Sequence, residues 1–190
     1  MPFDERIYFE IGRVAAEWSR LEDGTRSALW LLVSGGGPLL HQPSQVLIAG
    51  MALSAQWDAI ETLLKTPPTA DPEALTWFKE WRNRADHNLR PRRNDAVHSV
   101  WAIDGNDEEI TALAIDNSSR KAREGPRWDV VPGGKLAVAE LAEEIAEHRR
   151  LLSKWTSEQF RRLWPSARES GEHVPQAVPT VTRFDITPEP

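Results

Sequence analysis

The sequence predicts a mainly α protein, an antiparallel four-helix bundle with a small β-hairpin inserted before the last long helix. Three observations point there. Apolar residues recur three and four apart along the long stretches 3–33, 43–65, 71–89 and 135–164. The links between them are rich in glycine and proline. The apolar period drops to two only between 99 and 131. The expected division is one helical domain over 1–164, with the hairpin insert at about 99–131, and a proline-rich, disordered tail over 165–190.

In the first helix the stripe is Ile7, Ile11, Val14, Ala15, Trp18, Leu21, Ala28, Leu29 and Leu32. Gly24 interrupts it and marks a kink or a close helix crossing. Ser34-Gly35-Gly36-Gly37-Pro38 ends it. No Lys-Ser/Thr follows that glycine run and no strand precedes it, so it is a connector rather than a phosphate cradle. The second helix runs from Pro43-Ser44 to about Lys65, with Val46, Leu47, Gly50, Leu53, Trp57, Ile60 and Leu64 on one face. Gly50 there would permit close approach of a neighbour. The third opens on Asp71 as N-cap with Pro72 at the first helical position. Leu75, Phe78, Trp81, Ala85 and Leu89 continue its stripe. Pro91 should break or kink it, and a short helical piece over 91–97 restarts there.

Residues 99–104 and 110–116 are β-like runs around the turn-rich Gly105-Asn106-Asp107-Glu108, which reads as a hairpin. A third short strand is expected at Trp128-Asp129-Val130-Val131. The last helix carries Val138, Leu141, Ile145, Leu152, Trp155 and Leu163, with His148 on the same line. Its glutamates come early and its arginines late, the order that complements the helix dipole.

Composition excludes several function classes. The chain has no cysteine, which removes disulfides, thiolate metal sites and a cysteine nucleophile. Its five histidines form no His-Glu-x-x-His pattern, and Glu144 and His148 are four apart rather than the three a di-iron bundle uses. No Gly-x-Ser-x-Gly elbow occurs. No metal or cofactor is expected. The charged start Met1-Pro2-Phe3-Asp4-Glu5-Arg6 and the lack of a long apolar run predict a cytoplasmic protein with no membrane partner. A net charge of −6 argues against nucleic-acid binding by bulk attraction. Yet Arg82, Arg84, Arg90, Arg92 and Arg93 cluster, and Arg120, Lys121, Arg123 and Arg127 form a second group. Each is either a small basic site or a solvated face laced with ion pairs. The nine tryptophans read chiefly as core and interface anchors.

The stretch richest in chemistry is Pro91-Arg92-Arg93-Asn94-Asp95-Ala96-Val97-His98. A guanidinium binds anions and an imidazole moves protons near neutral pH. A phosphodiester uses both. Arg93 and His98 are five apart, about 140° around a straight helix. They converge if the helix ends near His98, if the arginine curls back, or if a second copy supplies the partner.

Arg93-Asn94-x-x-x-His98 in a helical chain resembles the HEPN superfamily, whose hallmark is an arginine, four to six residues and a histidine, with a polar residue after the arginine. Arg82-Asn83-Arg84-Ala85-Asp86-His87 matches the same pattern. Arg93/His98 is favoured because it lies at a helix-to-strand boundary beside a proline. The resemblance implies metal-independent RNA cleavage by 2′-hydroxyl attack at a composite homodimer site. His98 would act on the 2′-hydroxyl or leaving-group proton, Arg93 would hold the phosphate, and Asn94 would orient either. Arg82, Arg84, His87, Arg90 and Arg92 would line an RNA-binding groove. The resemblance also implies settings such as toxin–antitoxin systems, with a protein antitoxin as partner, or phage defence. The alternative is a non-catalytic HEPN-like binding or dimerisation module.

Overall fold

The computed structural model describes residues 5–34, 46–98, 112–115, 128–131 and 134–163. These are mainly helical. The first helix, α1, spans Glu5–Ser34. Its stripe is buried as the periodicity predicts, with Ile7, Val14, Trp18, Leu21 and Leu29 all almost inaccessible. A Cβ added at Gly24 would stand 3.6 Å from Leu152. Gly24 therefore marks a helix crossing, but an ordinary contact does not demand glycine there.

The second predicted helix is shorter than expected. Residues 46–49 form one helical turn, and α2 proper spans Leu53–Leu63. Ala52 is extended at its start, and the Gln56 side-chain amide donates to the Met51 carbonyl at 2.9 Å. Val46 and Leu47, expected on the buried face, are 74% and 73% exposed; Ile48 is buried instead. Among the described residues the nearest atom to a Cβ at Gly50 would be the Leu47 carbonyl oxygen at 3.9 Å, so none of the described helices approaches closely there.

Helix α3 spans Pro72–Arg84. Asp71 caps it, accepting from the backbone N–H groups of Glu73 at 3.1 Å and Ala74 at 3.0 Å. This carboxylate is buried and also pairs with Arg162. Pro91 does not break the run that follows. A π-helical turn, Ala85–Leu89, leads directly into α4, Arg90–His98. The Arg90 N–H reaches back five residues to the Ala85 carbonyl. The wider turn explains the missing break: it relieves the carbonyl that a proline ring would strike in an α-helix.

The expected hairpin of 99–104 on 110–116 is corrected. Strand β1, Ala112–Ile115, pairs antiparallel with β2, Trp128–Val131, with Ala112 opposite Val131 and Ile115 opposite Trp128. Residues 99–104 lie outside the described residues. The partner is Trp128-Asp129-Val130-Val131, the run expected as a third strand, which is rich in strand-favouring residues. Helix α5, Gly134–Leu163, completes the chain's described part. The tail from 165 and the basic group Arg120, Lys121, Arg123 and Arg127 lie outside it.

The helices share one apolar core, in which α1 packs most extensively on α5. Their directions correct the antiparallel expectation. Arg13 pairs with Glu143, Glu17 with Arg149, and Gly24 faces Leu152, so α1 and α5 run parallel. Helix α3 opposes α5, since Asp71 meets Arg162, Trp77 meets Trp155 and Trp81 meets His148. Helix α2 in turn opposes α3, through Trp57 on Trp81 and the Leu64 carbonyl to Asp71. Only short links force neighbours antiparallel; α2 therefore runs parallel to α1, and the 35–52 stretch between them is long enough to span a helix length. No described helix is long and apolar enough to cross a membrane.

Candidate functional site

Helix α4 is polar on most sides. Ala96 is its buried residue, and Val97 is half-buried. This weakly anchored helix ends at His98, which is exposed. Arg93 lies half-buried one turn earlier, where its side chain leaves α4 and lies against α1. Its guanidinium carbon sits 5.9 Å from the centre of the Trp18 ring. Its Nε is buried without a hydrogen-bond partner.

From that position Arg93 Nη1 donates to Asn94 Oδ1 at 3.0 Å and stands 3.4 Å from His98 Nε2. The arginine curls back, and the helix also ends at His98; together these span the 140° that separates the two positions. The Arg93–His98 contact is long for a hydrogen bond. For Arg93 to donate, Nε2 must carry its lone pair and the imidazole its proton on Nδ1. The three predicted residues Arg93, Asn94 and His98 are thus brought together within one chain. Among the described residues, no carboxylate pairs with Arg93.

The other arginines behave differently. Arg82 pairs with Glu61 at 2.7 Å and Asp58 at 2.8 Å, both on or beside α2, and lies 5.7 Å from the Trp57 ring centre. Burial works against its charge, but these two carboxylates hold its pKa above the ordinary value. Arg90 pairs with Asp86 at 2.5 Å and covers the same Trp57 ring at 5.2 Å. Arg92 makes a two-pronged bond to Glu144, at 2.9 and 3.0 Å, and Arg84 reaches the same carboxylate at 4.0 Å. His87 is exposed within the π turn. Arg82 and Arg90 thus gather at Trp57, and Arg84 and Arg92 at Glu144 on α5, so the four arginines of the predicted groove divide between two places. Asp58 and Glu61 on α2, the nearby Asp86, and Glu144 offset their charges.

His148 is a different kind of histidine. It is buried, stacked on Trp81 with ring centres 4.7 Å apart, and its Nε2 lies 2.9 Å from the Trp81 carbonyl. The Trp81 indole N–H answers by donating to the His148 carbonyl at 3.0 Å. Burial, aided by nearby Arg84 and opposed by the Trp81 bond, lowers its pKa to about 4. This is a neutral core residue that joins α3 to α5.

A surface cleft of about 310 Å³, lined in part by Glu73, Trp77, Lys154, Trp155 and Arg162, lies where α3 begins and α5 ends. It contains none of the predicted site residues and sits at the end of α3 and α5 remote from α4. Its mixed charges and the short distance between stacked Trp77 and Trp155, 5.2 Å, mark a helix contact. Among the described residues no cluster of three or more His, Asp or Glu side chains is placed to hold a metal ion.

Sequence reasoning missed Trp18 and Glu144. Trp18 stood in the core stripe, and only the Glu22 four residues on hinted at a bound indole N–H. Glu144 had no signal, since its partner Arg92 lies far away in the chain. No family model, curated protein or solved structure matches this chain.

Proposed function

We propose that Arg93, Asn94 and His98 form a metal-independent RNA-cleaving site of HEPN type. One observation carries the reading. Arg93 is the arginine of the 82–93 group that has no carboxylate partner among the described residues, and its Nη1 lies beside Asn94 and His98 on an open helix end. A charged donor without a built-in anion is suited to taking one from outside.

In this reading the RNA brings its own nucleophile. The 2′-oxygen attacks the adjacent phosphorus as His98 Nε2 takes its proton. The bond to the 5′-oxygen breaks, and that oxygen leaves as a hydroxyl once protonated. The products are a 2′,3′-cyclic phosphate and a 5′-hydroxyl. Arg93 offsets the charge that grows on the phosphoryl oxygens, and Asn94 keeps Nη1 aimed. A homodimer would set a second Arg93–His98 pair opposite the first and supply the proton for the leaving oxygen. The reading treats the helical core as a four-segment bundle in a cytoplasmic protein, within a toxin–antitoxin or phage-defence setting.

The test is incubation of purified protein with mixed RNA in EDTA. Wild type should cut, and His98→Ala should be slower by about 10²–10⁴-fold, as should Arg93→Ala. RNA left equally intact by all three proteins removes the catalytic reading. A second reading then gains, the non-catalytic HEPN-like binding module. It is favoured by the neutralised state of Arg82, Arg90 and Arg92, which reduces the positive charge around Arg93 that could gather RNA among the described residues. It predicts that both variants keep dimerisation or antitoxin binding.

A further inference from the structure

We propose that Trp18 and Glu22 on α1 are positioning residues for Arg93, acting as an indirect counter-charge that leaves the guanidinium free for phosphate. The inference rests on the reading of Arg93 as the phosphate-binding group. It is carried by a contact chain that crosses two helices. Glu22 Oε1 accepts from the Trp18 indole Nε1 at 2.7 Å. The Trp18 ring face lies 5.9 Å from the Arg93 guanidinium carbon. Arg93 then presents Nη1 to Asn94 and His98.

The physical content is specific. A cation over an indole is attracted by the negative face of the ring. A carboxylate accepting from the indole N–H pushes electron density into that ring and strengthens the attraction. The charge of Arg93 is stabilised this way without a direct ion pair. Arg82 shows the contrast: it also lies over a tryptophan, but Asp58 and Glu61 occupy its donors. Trp18 is 3% exposed, so the ring is a fixed platform rather than a mobile flap. Arg93 Nε is buried with no hydrogen-bond partner, so it adds no bond to those that hold this side chain.

The experiment uses the full chain and nuclear magnetic resonance of the arginine Nε–H groups, with inorganic phosphate as probe. The Arg93 signal is assigned by its loss in Arg93→Lys. In wild type it should stand apart from the exposed arginines because of the indole ring current, and phosphate should move it. Trp18→Leu should return it to the exposed position and weaken phosphate binding by about three- to tenfold, the range expected for a cation–π contact. Trp18→Phe should rescue most of the affinity, because it restores a ring face. Glu22→Gln should give a smaller loss with the fold unchanged. If Trp18→Leu fails to fold, Trp18→Met, which keeps bulk without a ring face, takes its place. A Glu22→Gln protein and a folded Trp18→Leu or Trp18→Met protein that both keep the wild-type Arg93 signal and phosphate affinity would overturn the proposal. Wild type that binds no phosphate overturns the anion-site reading instead, and the phosphate-free Arg93 signal in the variants then judges the indole contact by itself.

Discussion

Two histidines show how environment separates residues of one type. His98 is exposed at a helix end, within reach of a guanidinium. His148 is buried against Trp81, and burial lowers its pKa from 6.5 to about 4. The sign of the consequence is fixed. Above pH 6.5 the imidazole is neutral in both folded and unfolded chains and has no effect. As pH falls below 6.5 the unfolded chain takes up a proton that the folded chain refuses, so stability is lost until about pH 4. Between pH 7.5 and 5 this group should account for about 2 kcal/mol of destabilisation. Urea denaturation at the two pH values measures it, and His148→Gln, which retains a donor for the Trp81 carbonyl, should flatten the difference. An unchanged pH slope in His148→Gln would show that other groups cause it. The sequence placed His148 on the apolar line of its helix, so its burial was legible there. The bond to Trp81 was not, because the two residues are 67 positions apart.

At the scale of elements, the π turn is the device that sets the direction of Arg93. It carries Pro91 without a break and delays α4 relative to an uninterrupted α-helix. With the same number of residues in plain α geometry, α4 would be turned by about 100° and Arg93 would leave Trp18. Deleting Asn88 should remove the extra residue, so that the run returns to α geometry with α4 facing as before, while α1, α2 and α5 keep their packing. The Arg93 Nε–H signal should hold its place, with helical content by circular dichroism nearly unchanged. A signal moved to the exposed position would mean that the turn does not act as a single added residue. The sequence showed that Pro91 required something unusual. It did not show which solution is used, since a break, a kink and a π turn all relieve the same clash and surrounding packing chooses among them. Likewise, the second predicted helix is interrupted at residues 50–52, and Val46 and Leu47 in the turn before the interruption stay exposed, whatever their spacing implies.

For the whole molecule, the core depends on a few large rings. Phe78 is inaccessible and contacts both Trp81 and Trp155. Phe78→Ala should cost about 3–5 kcal/mol, whereas Phe9→Ser, at a 66% exposed site, should change stability by less than about 0.5 kcal/mol. Chemical denaturation compares the two directly. The parallel course of α1 and α5 has its own check, and the absence of cysteine makes the background clean. Arg13→Cys with Glu143→Cys should cross-link through a short bis-maleimide, and Arg13→Cys with Ser157→Cys should not. An antiparallel pair would reverse the two results.

By itself the sequence determined the helical class, the buried stripes of α1, α3 and α5, the Asp71 cap and the residues Arg93, Asn94 and His98 as a group worth testing. Those features depend on periodicity and short spacing, which local backbone geometry turns into structure with little reference to the rest of the chain. Only the tertiary structure decided that α1 and α5 are parallel, that β1 pairs with β2, that Glu61 and Glu144 neutralise Arg82 and Arg92, and that Trp18 lies under Arg93. Each of those joins residues remote in the chain, and their meeting depends on how whole elements pack rather than on any local pattern.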